Sequence, residues 1–297
     1  MDRRTFSKLL AAVVVTEACA QDAKSPESAP FHMRFGPHPG LLPGAPKDYI
    51  DELKFASDLG FRAWEDNGLG GRNPALQEKI GQFCKERDFL LGVMVITTGY
   101  GIPFQRATPE ESERILADMR KAVEVAKRTG QTHMTVVPGS RLPDLALEDQ
   151  IRGAADLLKR CCDIVEDSGI IMVLEPLSHD VAGKPVLLRS FVEGAKLCEL
   201  VDRKSCRLLA DFYHEGTIGN ELIPNAEKTW SQVAYVQYGD TPGRKEPGTG
   251  ELDLKAVTRW LHEKGYKGVI GMEHGTSAKG PEGLAKLIAS YRGIDVG

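Results

Sequence analysis

Cysteine is scarce in this 297-residue chain, at six, and no two cysteines form a Cys-x-x-Cys pair. That argues against cysteine-held zinc and against a dithiol redox centre. An excess of one charge is also missing. Thirty-eight Lys and Arg face forty-two Asp and Glu, leaving a net charge of −4, so no basic footprint for nucleic acid is present. Seven histidines are scattered, which speaks against the several-zinc centre of a DNA-repair endonuclease. No apolar run is long enough to span a bilayer. Repeats and low-complexity tracts are absent, and no Gly-rich phosphate turn follows the first strand, which disfavours a doubly wound open sheet. What remains, at 41% hydrophobic and 27% charged, is a globular chain long enough to bury a core without disulfides. Cys84, Cys161, Cys162, Cys198 and Cys206 sit among apolar residues and read as buried free thiols.

The N-terminus reads as an export signal. Arg3-Arg4-Thr5-Phe6-Ser7-Lys8 precedes the short apolar run Leu9 to Val15, and Ala18-Cys19-Ala20 offers a small-residue cut before Gln21. The paired arginines resemble a twin-arginine signal, which carries proteins already folded. Residues 1–20 are therefore expected to be a signal peptide, 21–30 a tether, and 31–297 the working barrel. The expected location is the periplasm, or the cytoplasm if residues 1–20 are not a signal.

Beyond the tether, apolar runs ending in polar residues recur eight times, each followed by a segment of helical period. The predicted strands are His32–Gly36, Arg62–Glu65, Leu90–Ile96, His133–Val137, Ile171–Glu175, Arg207–Asp211, Ala234–Tyr238 and Val269–Glu273. Thr108-Pro109-Glu110-Glu111 combines an N-cap, a proline at the first helical position and a capping-box glutamate. Asp253 opens a later helix, with Leu254, Val257 and Leu261 on one face. Eight βα units in succession predict an α/β chain folded as a single (β/α)8 TIM barrel.

In such a barrel the residues at the C-terminal ends of the strands converge on one mouth. The last four strands end in Glu175, Asp211, Gln237 and Glu273. Three carboxylates and an amide in one mouth repel one another unless a cation lies between them. An oxygen-rich set suits one hard divalent ion, Mg²⁺ or Mn²⁺.

Around these positions stand Leu174-Glu175-Pro176-Leu177, Asp211-Phe212-Tyr213-His214 and the stretch from Val236 through Pro242-Gly243-Arg244-Lys245-Glu246-Pro247-Gly248-Thr249-Gly250-Glu251. Together they resemble the hydroxypyruvate isomerase family, within the xylose-isomerase-like sugar isomerases and epimerases. The resemblance implies metal ligands at Glu175, Asp211, Gln237 and Glu273, with Glu175 and Glu273 as the acid/base pair. It implies an aldose–ketose isomerase that moves a proton through an enediolate. His214 and Arg244 are implied substrate contacts, and Glu65, at the end of strand 2, is a further candidate in the mouth. The chain departs from the family in Thr97 to Phe104, at Tyr235, where the family usually has His, and at His179, where Arg is common. The chemistry therefore carries over better than the substrate, expected to be a small sugar or keto acid. A ketose 3-epimerase, a lyase or hydrolase of 3-keto-glycosides, and a non-catalytic sugar-binding barrel are the alternatives. Neither nucleic acid nor, after signal cleavage, a membrane is an expected partner. Self-association as a homo-oligomer stays open.

Overall fold

The strands are short and apolar, and most end where the first polar side chain reaches a common rim. A computed structural model describes residues 29–95, 101–181 and 183–297. The signal, its cleavage site and the tether up to residue 28 lie outside the described residues, as do Ile96 and Thr97 to Tyr100. Among the described residues there are nine strands: β1 (Arg34–Gly36), β2 (Ala63–Trp64), β3 (Leu90–Leu91), β4 (Val93–Val95), β5 (His133–Val136), β6 (Ile171–Leu174), β7 (Cys206–Asp211), β8 (Val233–Tyr238) and β9 (Val269–Met272).

These strands pair in parallel throughout. Seven strands form one sheet in the order β1-β9-β8-β7-β6-β5-β4, and β2 pairs with β3. Gly92 alone separates β3 from β4, and the Glu65 amide donates to the Pro37 carbonyl just beyond β1 at 3.0 Å. The small pair thus lies between the two edges of the larger sheet, giving a TIM-barrel-like α/β fold. The third expected strand, Leu90–Ile96, is divided in two. At the break Gln131 Nε2 donates to the Gly92 carbonyl.

The main helices cover the outside: α1 (Tyr49–Asp58), α2 (Pro74–Arg87), α3 (Pro109–Thr129), α4 (Leu147–Val165), α5 (Phe191–Val201), α6 (Phe212–Thr217), α7 (Leu222–Thr229), α8 (Leu254–Glu263) and α9 (Gly280–Ile294). The Thr108–Glu111 capping box forms as the sequence predicts, and Gly130 ends α3 at φ +75°. Asp253 caps α8 by accepting from the Ala256 amide, while Leu254, Val257 and Leu261 are buried. All five described cysteines are free and buried. Inside the barrel, Ala63, Val93, Val173, Leu209, Tyr235 and Val269 pack into an apolar layer. This layer is the floor on which the polar rim stands.

Candidate active site

Backbone geometry delivers the rim residues one by one. Glu175 follows β6, its amide still bonded to the Val136 carbonyl at 3.1 Å. Asp211 ends β7 and caps α6, its Oδ1 accepting from the Tyr213 amide at 2.8 Å. Gln237 lies in β8 in register with Asp211, and parallel partners present their side chains to the same face. Glu273 follows β9. Four consecutive strands therefore bring together the four residues expected at the mouth.

Arg244 enters this group from the loop after β8, with φ +49° in the left-handed region. Its Nη2 donates to Asp211 Oδ2 at 3.0 Å and Glu273 Oε2 at 2.9 Å, and its guanidinium stacks 4.6 Å from the Tyr213 ring centroid. Asn67 Nδ2 donates to the other Glu273 oxygen at 3.0 Å. His214 Nε2 lies 3.5 Å from Asp211 Oδ2 and 3.7 Å from Glu175 Oε1. The loop is itself anchored. Buried Asp240 accepts from the amides of Gly248, Gly250 and Leu252, and Glu246 accepts from the Ser277 amide and hydroxyl.

Burial governs the protonation of this group. It pushes Glu175 well above the ordinary carboxylate range, with Glu273 and Asp211 adding repulsion. Glu273 is raised to about 7, burial outweighing the opposing pull of Arg244. Burial also lowers His214 to about 4, so its ring is neutral. Carboxyls whose proton affinity is raised above the ordinary range are suited to exchanging protons with a substrate.

The donor set fits a hard cation. Gln237 is 1% exposed, yet its Oε1 is buried without a hydrogen-bond partner. Glu175, Asp211 and His214 can bring one ligand atom each within 4.8 Å of one another. His214 is the weakest of the three as a ligand. Its Nδ1 accepts from the Ser178 amide at 3.2 Å, and Arg244 Nη2 lies 3.4 Å from the Nε2 that faces the carboxylates, so both ring nitrogens already have polar partners. The oxygen donors Glu175, Asp211, Gln237 and Glu273 remain, residue types suited to Mg²⁺ or Mn²⁺.

Glu65 lies lower than the other candidates. It is 1% exposed, and its oxygens accept from Tyr235 Oη at 2.7 Å and Gln237 Nε2 at 3.0 Å. Burial, then repulsion from Glu273, raises it to about 8. A cleft of about 450 Å³ opens beside Glu273, lined by His38, Asn67 and Arg72 among others. Sequence reading missed Asn67, Ser178 and Tyr213. For Asn67 one signal was present, its place two residues beyond Glu65 at the same strand end.

A family model described as "Xylose isomerase-like TIM barrel" matches residues 53–293. The chain belongs to this family. Among the xylose isomerase-like barrels it is similar to a putative hydroxypyruvate isomerase of Mus musculus, 25% identical over 252 residues, 83% of this chain and 89% of that protein. It is 26% identical over 240 residues to the 2-oxo-tetronate isomerase of Pectobacterium atrosepticum, covering 80% of this chain and 90% of that protein. Its fold is similar to that of the 3-keto-D-glucoside 4-epimerase of E. coli in its apo form. There the TM-score is 0.71 at 19% identity, over 88% of this chain and 98% of that one. The protein is an isomerase-type enzyme of the xylose isomerase-like family, with the hydroxypyruvate isomerases among its relatives.

Proposed function

We propose that this enzyme is a divalent-metal-dependent isomerase of small α-hydroxycarbonyl compounds, of the hydroxypyruvate isomerase type. The observation that carries the reading is the rim itself: Glu175 and Glu273 follow their strands beside Asp211 and an amide whose oxygen has no partner. Glu175, Asp211, Gln237 and Glu273 would hold Mg²⁺ or Mn²⁺, which when bound supplies Lewis-acid stabilisation of negative charge on the substrate oxygens.

The chain's own groups do the rest. One of Glu175 and Glu273 takes a proton from the carbon beside the carbonyl, leaving an enediolate, and the other returns a proton to the neighbouring carbon. His214, its ring kept neutral by burial, contacts the substrate. Arg244 pairs with a substrate carboxylate or spans two hydroxyls, a role that suits its forked donors. The substrate class is a small sugar or keto acid, and the names of the curated relatives support isomerisation over binding alone. The twin-arginine reading of residues 1–20 adds export, and with it a periplasmic place of work.

Deuterium incorporation from D₂O tests the reaction. Protein with Mn²⁺ or with EDTA is incubated with hydroxypyruvate, free ketoses and 3-keto-glycosides and followed by NMR. Metal-dependent exchange beside a carbonyl is expected, with the exchanging substrate naming the reaction. Glu175→Gln and Glu273→Gln are expected to reduce exchange by about 10²- to 10⁴-fold while still binding the substrate. Absence of exchange in metal-loaded wild-type protein overturns the reading.

A further inference from the structure

Beneath the rim lies a buried acid with no evident reason for being there on grounds of stability. Glu65 stands between the apolar floor and the rim, 1% exposed at the base of the cleft beside Glu273. A buried carboxylate costs several kcal/mol in desolvation, and an apolar side chain of similar volume would pack there without that cost. The surroundings are nonetheless built to receive it. A Cβ on Gly271 would lie 1.9 Å from Glu65 Oε2, and a Cβ on Gly92 would lie 2.2 Å from Tyr235 Oη. Gly271 in β9 and Gly92 at the break between β3 and β4 thus clear the space for the Glu65–Tyr235 pair.

The hydrogen bonds define what the acid does. Tyr235 Oη donates to Oε2 and so fixes the carboxylate plane. The other oxygen accepts from Gln237 Nε2. An amide has one donor end and one acceptor end, so fixing Nε2 on Glu65 turns Oε1 away from it. Both Glu65 oxygens accept hydrogen bonds here, so turning the amide over would set its oxygen against another acceptor. Gln237 Oε1 is the atom left buried and unpartnered, on a residue in register with Asp211.

We infer that Glu65 is a positioning residue, which with Tyr235 locks the Gln237 amide so that its Oε1 is offered to a divalent cation as a neutral oxygen ligand. The inference rests on the metal-dependent reading above. It moves Glu65 from contact with the substrate to control of one ligand's orientation. Outer-shell partners of this kind govern metal affinity as well as geometry.

Mn²⁺ titration of Glu65→Gln and Tyr235→Phe, by calorimetry and by EPR, tests this directly. A glutamine at position 65 has its own amide hydrogens, which can draw Gln237 Oε1 down and turn Nε2 toward the cation. The dissociation constant for Mn²⁺ is expected to rise about 10- to 100-fold in Glu65→Gln, with a smaller rise in Tyr235→Phe and an altered Mn²⁺ spectrum in both. Thermal melts in EDTA establish which variants fold. If Glu65→Gln does not, Tyr235→Phe decides, and a Mn²⁺ affinity within twofold of wild type overturns the inference. A residue that only packs would lower the melting temperature and leave Mn²⁺ affinity unchanged, which also overturns it. Wild-type protein that binds no Mn²⁺ would remove the metal reading and the positioning role together. Tight binding in wild type and both variants would remove the positioning role alone.

Discussion

Arg244 is the residue on which the rim's charge balance turns. One guanidinium nitrogen bonds to carboxylates from two strands, and the aromatic face of Tyr213 supports it. A lysine could meet both carboxylates with its one ammonium, but it lacks the planar face that lies over Tyr213 and the further donors left for a substrate. Catalytic efficiency is therefore expected to fall in the order wild type, Arg244→Lys, Arg244→Ala, with about a 10²-fold loss in the alanine variant if one charge-assisted pair to the substrate, about 2–3 kcal/mol, is removed. Steady-state kinetics on the substrate identified by exchange checks this, and an unchanged efficiency in Arg244→Ala would exclude the contact. At this scale the sequence was informative where chemistry coincides with a strand end. Glu175, Asp211, Gln237 and Glu273 were legible because each polar residue closes an apolar run. Tyr235 was legible only as a departure from the family. Its partner Glu65 lies 170 positions away, and no local pattern connects them.

Local elements were easier to read where their signals are short-ranged. The capping box at Thr108 and the cap at Asp253 involve residues three apart, so four letters suffice to predict them. The division of the third strand depends on Gln131, which is 39 positions from Gly92. The loop after β8 combines both kinds of information. Its Pro-Gly-Arg to Gly-Thr-Gly-Glu stretch was the most recognisable part of the chain, and Asp240 is what gives it shape. Asp240→Ala leaves three loop amides without their acceptor and is expected to destabilise the fold by about 3 kcal/mol, measured by urea unfolding. Asp240→Asn keeps one acceptor oxygen and should lose less. Equal stability of both variants with wild type would mean the loop holds itself.

For the whole molecule, the buried acids and buried histidines act in opposite directions with pH. Glu65 at about 8, Glu273 at about 7 and raised Glu175 keep protons that the unfolded chain has already released. Their contribution to stability is present below the ordinary carboxylate range and is lost as pH rises through the raised values. His133, His214 and His274, each lowered to about 4 by burial, contribute above the ordinary imidazole value and lose that contribution as pH falls. The two trends oppose one another below about pH 6.5, the ordinary imidazole value, and above it only the acids act. The melting temperature of EDTA-treated protein is therefore expected to drop by about 4 °C or more between pH 6.5 and 8, and Mn²⁺ at pH 8 should restore it. A flat profile in EDTA would show that the carboxyls ionise without cost.

The close approach of Gly271 to Glu65 also bears on how such a barrel can change over generations. A methyl group at position 271 would push the Glu65 carboxylate from where it stands, and one at position 92 would do the same to the Tyr235 hydroxyl. Each glycine becomes freely replaceable only after its partner has been shortened. Positions 65, 92, 235 and 271 are thus epistatic, and the order in which substitutions arrive decides whether each is tolerated. Across diverging descendants of this chain they should covary as one heritable unit, although they lie on four different strands or strand ends.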